Sequence, residues 1–301
     1  KTYLGSIIDD KVWKGIAEGL NYGLGFMVIF MLHFTVATKQ PAMTAARFAE
    51  AVEKTPQGKT VNMKLAQLLV DVFRSQSIAV LGNVLIAMGL AALIAFGYQY
   101  KTGEPLMNAD QIAYQLHSID PFAGTLWFAA IAGVWLFCSG IISGYFDNRS
   151  NYLNMRMRLA QHPLLKKLMS EKTRVKFANY MHENYGSLIG NLCFGMLLGI
   201  TGVVGYLTHL PLDIRHVAFS SANVGYIAVS GHFTYSLLLQ CIGFVLLIGL
   251  VNLIVSFSLT LWVALRSLNA EIESWWPIWY EVCQIVKKRP LSLFLPVQLD
   301  K

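Results

Sequence analysis

The densest cluster of reactive side chains lies in "LPLDIRHVAFSSANVGY", residues 210–226. Asp213, Arg215 and His216 fall within four positions, and Ser220, Ser221 and Asn223 follow. An arginine beside a histidine can hold a phosphate or another oxyanion and move a proton. The same residues can instead fix helix packing, with Asp213 the nearest partner for Arg215 and the small polar residues bonding to neighbouring helices. Both readings stay open on the local sequence. Other candidates are thinner. "TPQGKT" ends in Gly58-Lys59-Thr60, but a phosphate-binding loop needs a glycine five residues earlier, where Glu53 stands. The four cysteines, Cys138, Cys193, Cys241 and Cys283, include no C-x-x-C pair, and three lie in apolar runs. They read as small buried residues, and neither a disulfide framework nor a metal site is expected.

What positions the 210–226 cluster is a set of long apolar runs. Of the 301 residues 55% are hydrophobic and only 14% charged, well below the quarter or so of a soluble domain. A helix needs about 20 apolar residues to cross a bilayer. Five stretches qualify: about 16–37, 76–98, 123–146, 186–208 and 234–265. The last is longer than one crossing needs. The 14 residues "VAFSSANVGYIAVS" are short for a span, so about 211–230 reads as a re-entrant segment or half-helix, with Pro211 opening it. A short sixth span there is the competing topology. Broken helices whose ends meet in the membrane are how many transporters build a substrate site. A plug that fixes helix packing is the plainer alternative.

Lysine and arginine are divided unevenly between the two sides that five spans define. Loops 1–15, 99–122 and 209–233 carry five; loops 38–75, 147–185 and 266–301 carry nineteen. The basic side should be cytoplasmic. This puts the C-terminus inside and Arg215-His216 outside, or dipping in from outside. The net charge of +7 is therefore no sign of nucleic-acid binding.

The cytoplasmic loops carry amphipathic patterns. Val61, Leu65, Leu68 and Val72 share a helical face. Arg156, Arg158, Lys166, Lys167, Arg174 and Lys176 are interleaved with apolar residues across 151–184. Such helices suit an inner leaflet rich in anionic lipid. "WWPIWYEVCQIVKKRP" sets aromatics before cations, as an interfacial helix does. Within the fourth span Gly186 and Gly190 share one face, and Gly195, Gly199 and Gly202 cluster on roughly the opposite one. Glycine on two faces predicts a central helix packed on both sides. Asn83, Asn191, Asn252 and His33 lie inside spans and should pair with other helices or serve transport.

"GYFDNRSNYLNMRMRLAQHPLL" (144–165) and the run from Gly190 to Tyr226 resemble a bacterial membrane-protein family catalogued as site-specific recombinase. The resemblance implies that the chain is the C-terminal membrane part of a longer protein. The family's name implies DNA strand exchange. Arg215-His216, Gly231-His232 and Tyr235 loosely echo the tyrosine-recombinase signature, but their spacing departs from it. Gly231 follows Arg215 too closely, and Tyr235 follows His232 after only three positions. The cations that would hold DNA also fall on the opposite side of the membrane from Arg215.

The expected architecture is thus all-α: a polytopic membrane helix bundle of about five transmembrane helices, one re-entrant half-helix and amphipathic cytoplasmic helices. It forms a single integral membrane domain over 1–301 in a bacterial inner membrane. The first functional reading is a non-enzymatic scaffold or assembly factor. A transporter or lipid-handling protein with a site near 211–223 is the second, and the recombinase of the family name the third. Expected partners are the bilayer, with its anionic lipids, and a second copy or other membrane proteins. No cofactor, metal or nucleic acid is expected.

Overall fold

The structure is a computed structural model that describes residues 10–32, 40–53, 59–230 and 234–293. Among these the regular elements are all helical. Eleven α-helices follow in order: α1 (Lys11–Met31), α2 (Gln40–Glu53), α3 (Lys59–Thr102), α4 (Ala109–Ile119), α5 (Thr125–Tyr152), α6 (Met155–Gln161), α7 (Pro163–Leu168), α8 (Glu171–Thr208), α9 (Val217–Ser230), α10 (Tyr235–Ser267) and α11 (Trp276–Lys288). Two 3-10 turns, Pro121–Ala123 and Pro290–Leu293, complete the list. Four helices, α3, α5, α8 and α10, are long and apolar enough to cross a membrane, and α9 is a shorter apolar helix.

Local sequence explains most boundaries. Asp10, Ser170 and Thr234 accept from first-turn N–H groups of α1, α8 and α10. Asn108 and Gln111 form a reciprocal capping box at α4. The amphipathic stretch expected at 61–75 and the span at 76–98 form one 44-residue helix, because neither proline nor glycine occurs between Lys59 and Leu81. Likewise the basic stretch from Glu171 runs straight into the fourth span as a 38-residue helix. The first expected span, 16–37, is helical from Lys11 to Met31. Residues 33–37, with His33, lie outside the described residues.

The chain's contacts form two compact units, Lys1–Ala42 with Trp135–Asp213, and Met43–Val134 with Ile214–Lys301. In the first unit α8 is the central helix. Half of its most apolar stretch is buried, the largest share among the four long helices. One face meets α1 so closely that a Cβ at Gly195 or Gly199 would strike the backbone of Gly23 or Gly19. On another face, a Cβ at Gly186 or Gly190 would meet Ser143 and Asp147 or Ser139 of α5. Packing on two glycine faces is what small residues permit where lipid removes the hydrophobic drive between helices. Gly202 departs from the expectation, since nothing lies within 4 Å of a Cβ there. The seam with α1 runs through Leu192, Gly195, Gly199 and Val203, and position 202 lies on its flank. Polar bonds lock the same unit. Trp135 Nε1 donates to Thr201 Oγ1 at 2.7 Å, and Gly186 N to Asp147 Oδ1 at 3.0 Å.

In the second unit α9 lies along α3, with Gly225 against the backbone of Met88. Val84, Ile119, Val217, Val224, Val245 and Ile248 form one apolar core there. A second core gathers Phe48, Ala49, Leu65, Leu261 and Ile278, joining α2, α3, α10 and α11.

Candidate functional site: a junction of two helix breaks

Two interruptions define the candidate site. The first separates α4 from α5. Asp120 ends α4 in extended backbone and accepts from Phe122 N, and Gly124 turns the chain at φ 79°. The second is the stretch 209–216 between α8 and α9. His209 ends α8 in the left-handed region at φ 55°, and Leu212 N bonds to Leu210 O at 2.7 Å across Pro211. The helix expected to open at Pro211 therefore starts only at Val217, because the backbone ahead of it is held by other partners.

Those partners come from the first break and from α10. Arg215 N donates to Phe128 O at 3.2 Å. Its Nε donates to Ser118 O at 2.8 Å, and its Nη1 to Ile214 O at 2.8 Å. The guanidinium also sits 5.5 Å from the centroid of the Phe128 ring. Thr125 Oγ1 donates to the same Ser118 carbonyl at 3.0 Å. Asn252, in the middle of α10 and 2% exposed, completes the junction. Its Nδ2 donates to Ala129 O at 2.7 Å and to Arg215 O at 3.0 Å, and its Oδ1 accepts from Val217 N at 3.1 Å. One asparagine thus serves the start of α5, the last loop residues and the first turn of α9. Where helices break in an apolar setting, freed backbone groups must find such partners.

The remaining candidates surround this junction. His216 lies in the loop and outside the long helices. It is buried with its ring 5.8 Å from that of Phe219, and burial pushes its imidazole down to about 4, so it is neutral at ordinary pH. Ser220 and Ser221 are buried on α9, where Ser221 Oγ returns a bond to Val217 O at 2.6 Å. Asn223 Nδ2 donates to Gln115 Oε1 of α4 at 2.7 Å. Asp213 is half-buried at the end of the first unit. Arg215, His216 and Asn223 therefore gather beside α4, α5 and α10. Sequence reasoning marked Asn252 as a polar residue that should pair between helices. It did not connect Asn252, Ser118 or Phe128 with Arg215, nor Gln115 with Asn223.

The arrangement is suited to holding backbone together. Arg215 directs Nε and Nη1 at carbonyls of its own chain. Tyr235, exposed at the start of α10, is seventeen positions from Asn252 on one unbroken helix, roughly 25 Å along the axis. His232 lies outside the described residues. Among the described residues no group of three His, Cys, Asp or Glu side chains could hold a metal.

The six basic residues singled out in 147–185 are mostly exposed. Arg156 and Arg158 lie on α6, Lys166 and Lys167 on α7, and Lys176 on α8. Arg174 is half-buried, and its Nε donates to Ala160 O at 2.6 Å, tying α6 to α8.

An all-helical bundle with four apolar helices of membrane-crossing length, its broken segments stitched by buried polar side chains, is the build of a helical membrane protein. A family model described as "Site-specific recombinase" matches residues 1–296, and the chain belongs to that family. No curated protein and no solved structure matches it.

Proposed function

We propose that this protein is a non-enzymatic scaffold or assembly factor of a bacterial inner membrane, and that the 210–226 segment is a structural junction. The observation that carries this reading is the engagement of Arg215 and Asn252 with the backbone of both helix breaks. A DNA-cleaving site needs its arginine and nucleophile to converge on one phosphate. Here Tyr235 and Asn252, which touches the carbonyl of Arg215, are separated by most of a membrane thickness along α10.

Complementation of a deletion strain tests the proposal, with membrane-protein level measured in parallel. For a scaffold, Arg215→Lys, Asn252→Leu and Gly195→Leu should lose function only in proportion to the folded protein they lose. Arg215→Lys that reaches the wild-type level yet fails to complement would sink the idea. Orientation has its own test. Single cysteines replacing the exposed Ser236 and Lys288 should be labelled by an impermeant reagent from outside and only after permeabilisation, respectively. The reverse pattern would overturn the topology. The exposed Arg156, Arg158, Lys166, Lys167 and Lys176 alternate with exposed Leu164 and Leu168, which supports anionic lipid at the inner leaflet as their partner.

A further inference from the structure

An apolar cleft of about 350 Å³ opens in the second unit between α3, α10, α11 and the final 3-10 turn. Phe73, Leu253, Phe257, Trp279, Val282 and Val286 are among its walls, and the rest of the lining is Leu, Val and Ile. Along α10 the lining runs from Leu250 to Phe257, a length of roughly 10 Å. The volume is in the range of small-molecule sites, but the walls differ from the usual pocket in offering no charged group and no side-chain amide or hydroxyl. A peptide strand or a polar metabolite entering it would leave its own hydrogen-bonding groups unmet.

Charge lies at one end. Val286 is followed directly by Lys287 and Lys288, both exposed. On the α3 wall, Asp71 is matched by Arg74 at 2.9 Å, so it does not offset those lysines. The acid on α11 is Glu281, half-buried and almost two turns before Lys287. Exposed Trp276 and Tyr280 occupy the first turn and a half of the same helix, which is the chemistry of a membrane–water boundary.

We infer that this cleft holds one acyl chain of an anionic phospholipid, with its headgroup phosphate at Lys287 and Lys288. The site is separate from the Arg215–Asn252 junction and does not depend on the scaffold reading. It depends only on the protein residing in a bilayer. It would anchor α11, whose apolar face packs on α3 through Ile278 and Ile285, and make that docking respond to lipid composition.

The test uses the whole protein in nanodiscs containing phosphatidylglycerol or phosphatidylcholine, each with a photoactivatable group within the acyl chain. Adducts are mapped by mass spectrometry. Phosphatidylglycerol should label 250–257 and 279–286 in preference to the exposed strip Leu85, Ile86, Leu90, Leu93 and Ile94 of α3. Phosphatidylcholine should label the cleft much less. The double variant Lys287→Gln, Lys288→Gln alters only exposed side chains and should weaken cleft labelling by phosphatidylglycerol ~25-fold. Leu253→Trp should abolish cleft labelling and leave the α3 strip labelled. Should Leu253→Trp misfold, the lysine variant decides alone. Labelling that follows exposure along α3 and the cleft alike, equal labelling by the two headgroups, or an unaffected lysine variant would each overturn the inference.

Discussion

Replacing Asn252 with leucine keeps the branched shape of the side chain and deletes all three of its bonds. The consequences differ among the partners. Ala129 O lies inside the first turns of α5 and keeps a helical partner. Val217 N belongs to the opening turn of α9, where no intrahelical carbonyl is available. Arg215 O precedes that turn and loses a donor that reached it at 3.0 Å. Two buried backbone groups therefore lose a partner, at about 1–3 kcal/mol each. Interhelical bonds in membranes average lower, about 0.6 kcal/mol, so the total should fall at about 2–4 kcal/mol. Asn252→Asp should be worse than leucine. It still accepts from Val217 N, yet turns a carboxylate toward the carbonyls of Ala129 and Arg215. Ser256→Ala is the control, because Ser256 is equally buried on the same helix but its hydroxyl donates to Leu253 O within that helix. Equilibrium unfolding in mixed micelles, followed by tryptophan fluorescence, gives the three values. Asn252→Leu within about 0.5 kcal/mol of Ser256→Ala would refute the view that this asparagine holds both breaks.

Three further outcomes are expected. Gly195→Leu should prevent α1 from docking on α8, while Gly202→Ala, which faces open space, should leave the aggregation temperature of the purified protein within a degree or two of wild type. Arg215→Lys should cost about 1–2 kcal/mol in the same unfolding assay, because lysine cannot reach two carbonyls in a planar fork and lie over Phe128; an unchanged stability would argue against the clamp. For His216 the native pKa of about 4 lies below the ordinary 6.5, so the unfolded chain binds the extra proton between those values. Stability should be full above about pH 6.5 and fall by up to about 3 kcal/mol as pH drops through 4, and His216→Gln should flatten that slope.

The fold was legible wherever it depended on pattern. Apolar run length located the four long helices, and glycine spacing identified α8 as the helix packed on two sides. Helix continuity was also written in the sequence, in the lack of any breaker between Lys59 and Leu81. The amphipathic and apolar stretches looked like separate elements only because their composition differs. The junction was legible in part. Arg215 and His216 stand out by type, and Asn252 stands out by lying in an apolar run. What joins them is a set of backbone carbonyls, at Ser118, Phe128 and Ala129, and carbonyls carry no residue-type signal. The start of α9 was misplaced for the same reason. Pro211 is a good opener of a helix by local preference, but Arg215 N donates to Phe128 O and Val217 N to Asn252, and the helix begins only at Val217.

The backbone-to-backbone seam of α1 and α8 also sets a schedule for biogenesis. Gly19 meets Gly199, 180 positions later in the chain. At about 5–20 residues per second of synthesis, α1 is made roughly 10–35 s before its partner emerges. Throughout that interval its grooved glycine face must be covered by lipid, by the insertion machinery or by a chaperone. Slowing translation near the codons for α8 should therefore lower the yield of membrane-inserted protein more than an equal pause after Thr208, when both halves of the seam have already been made.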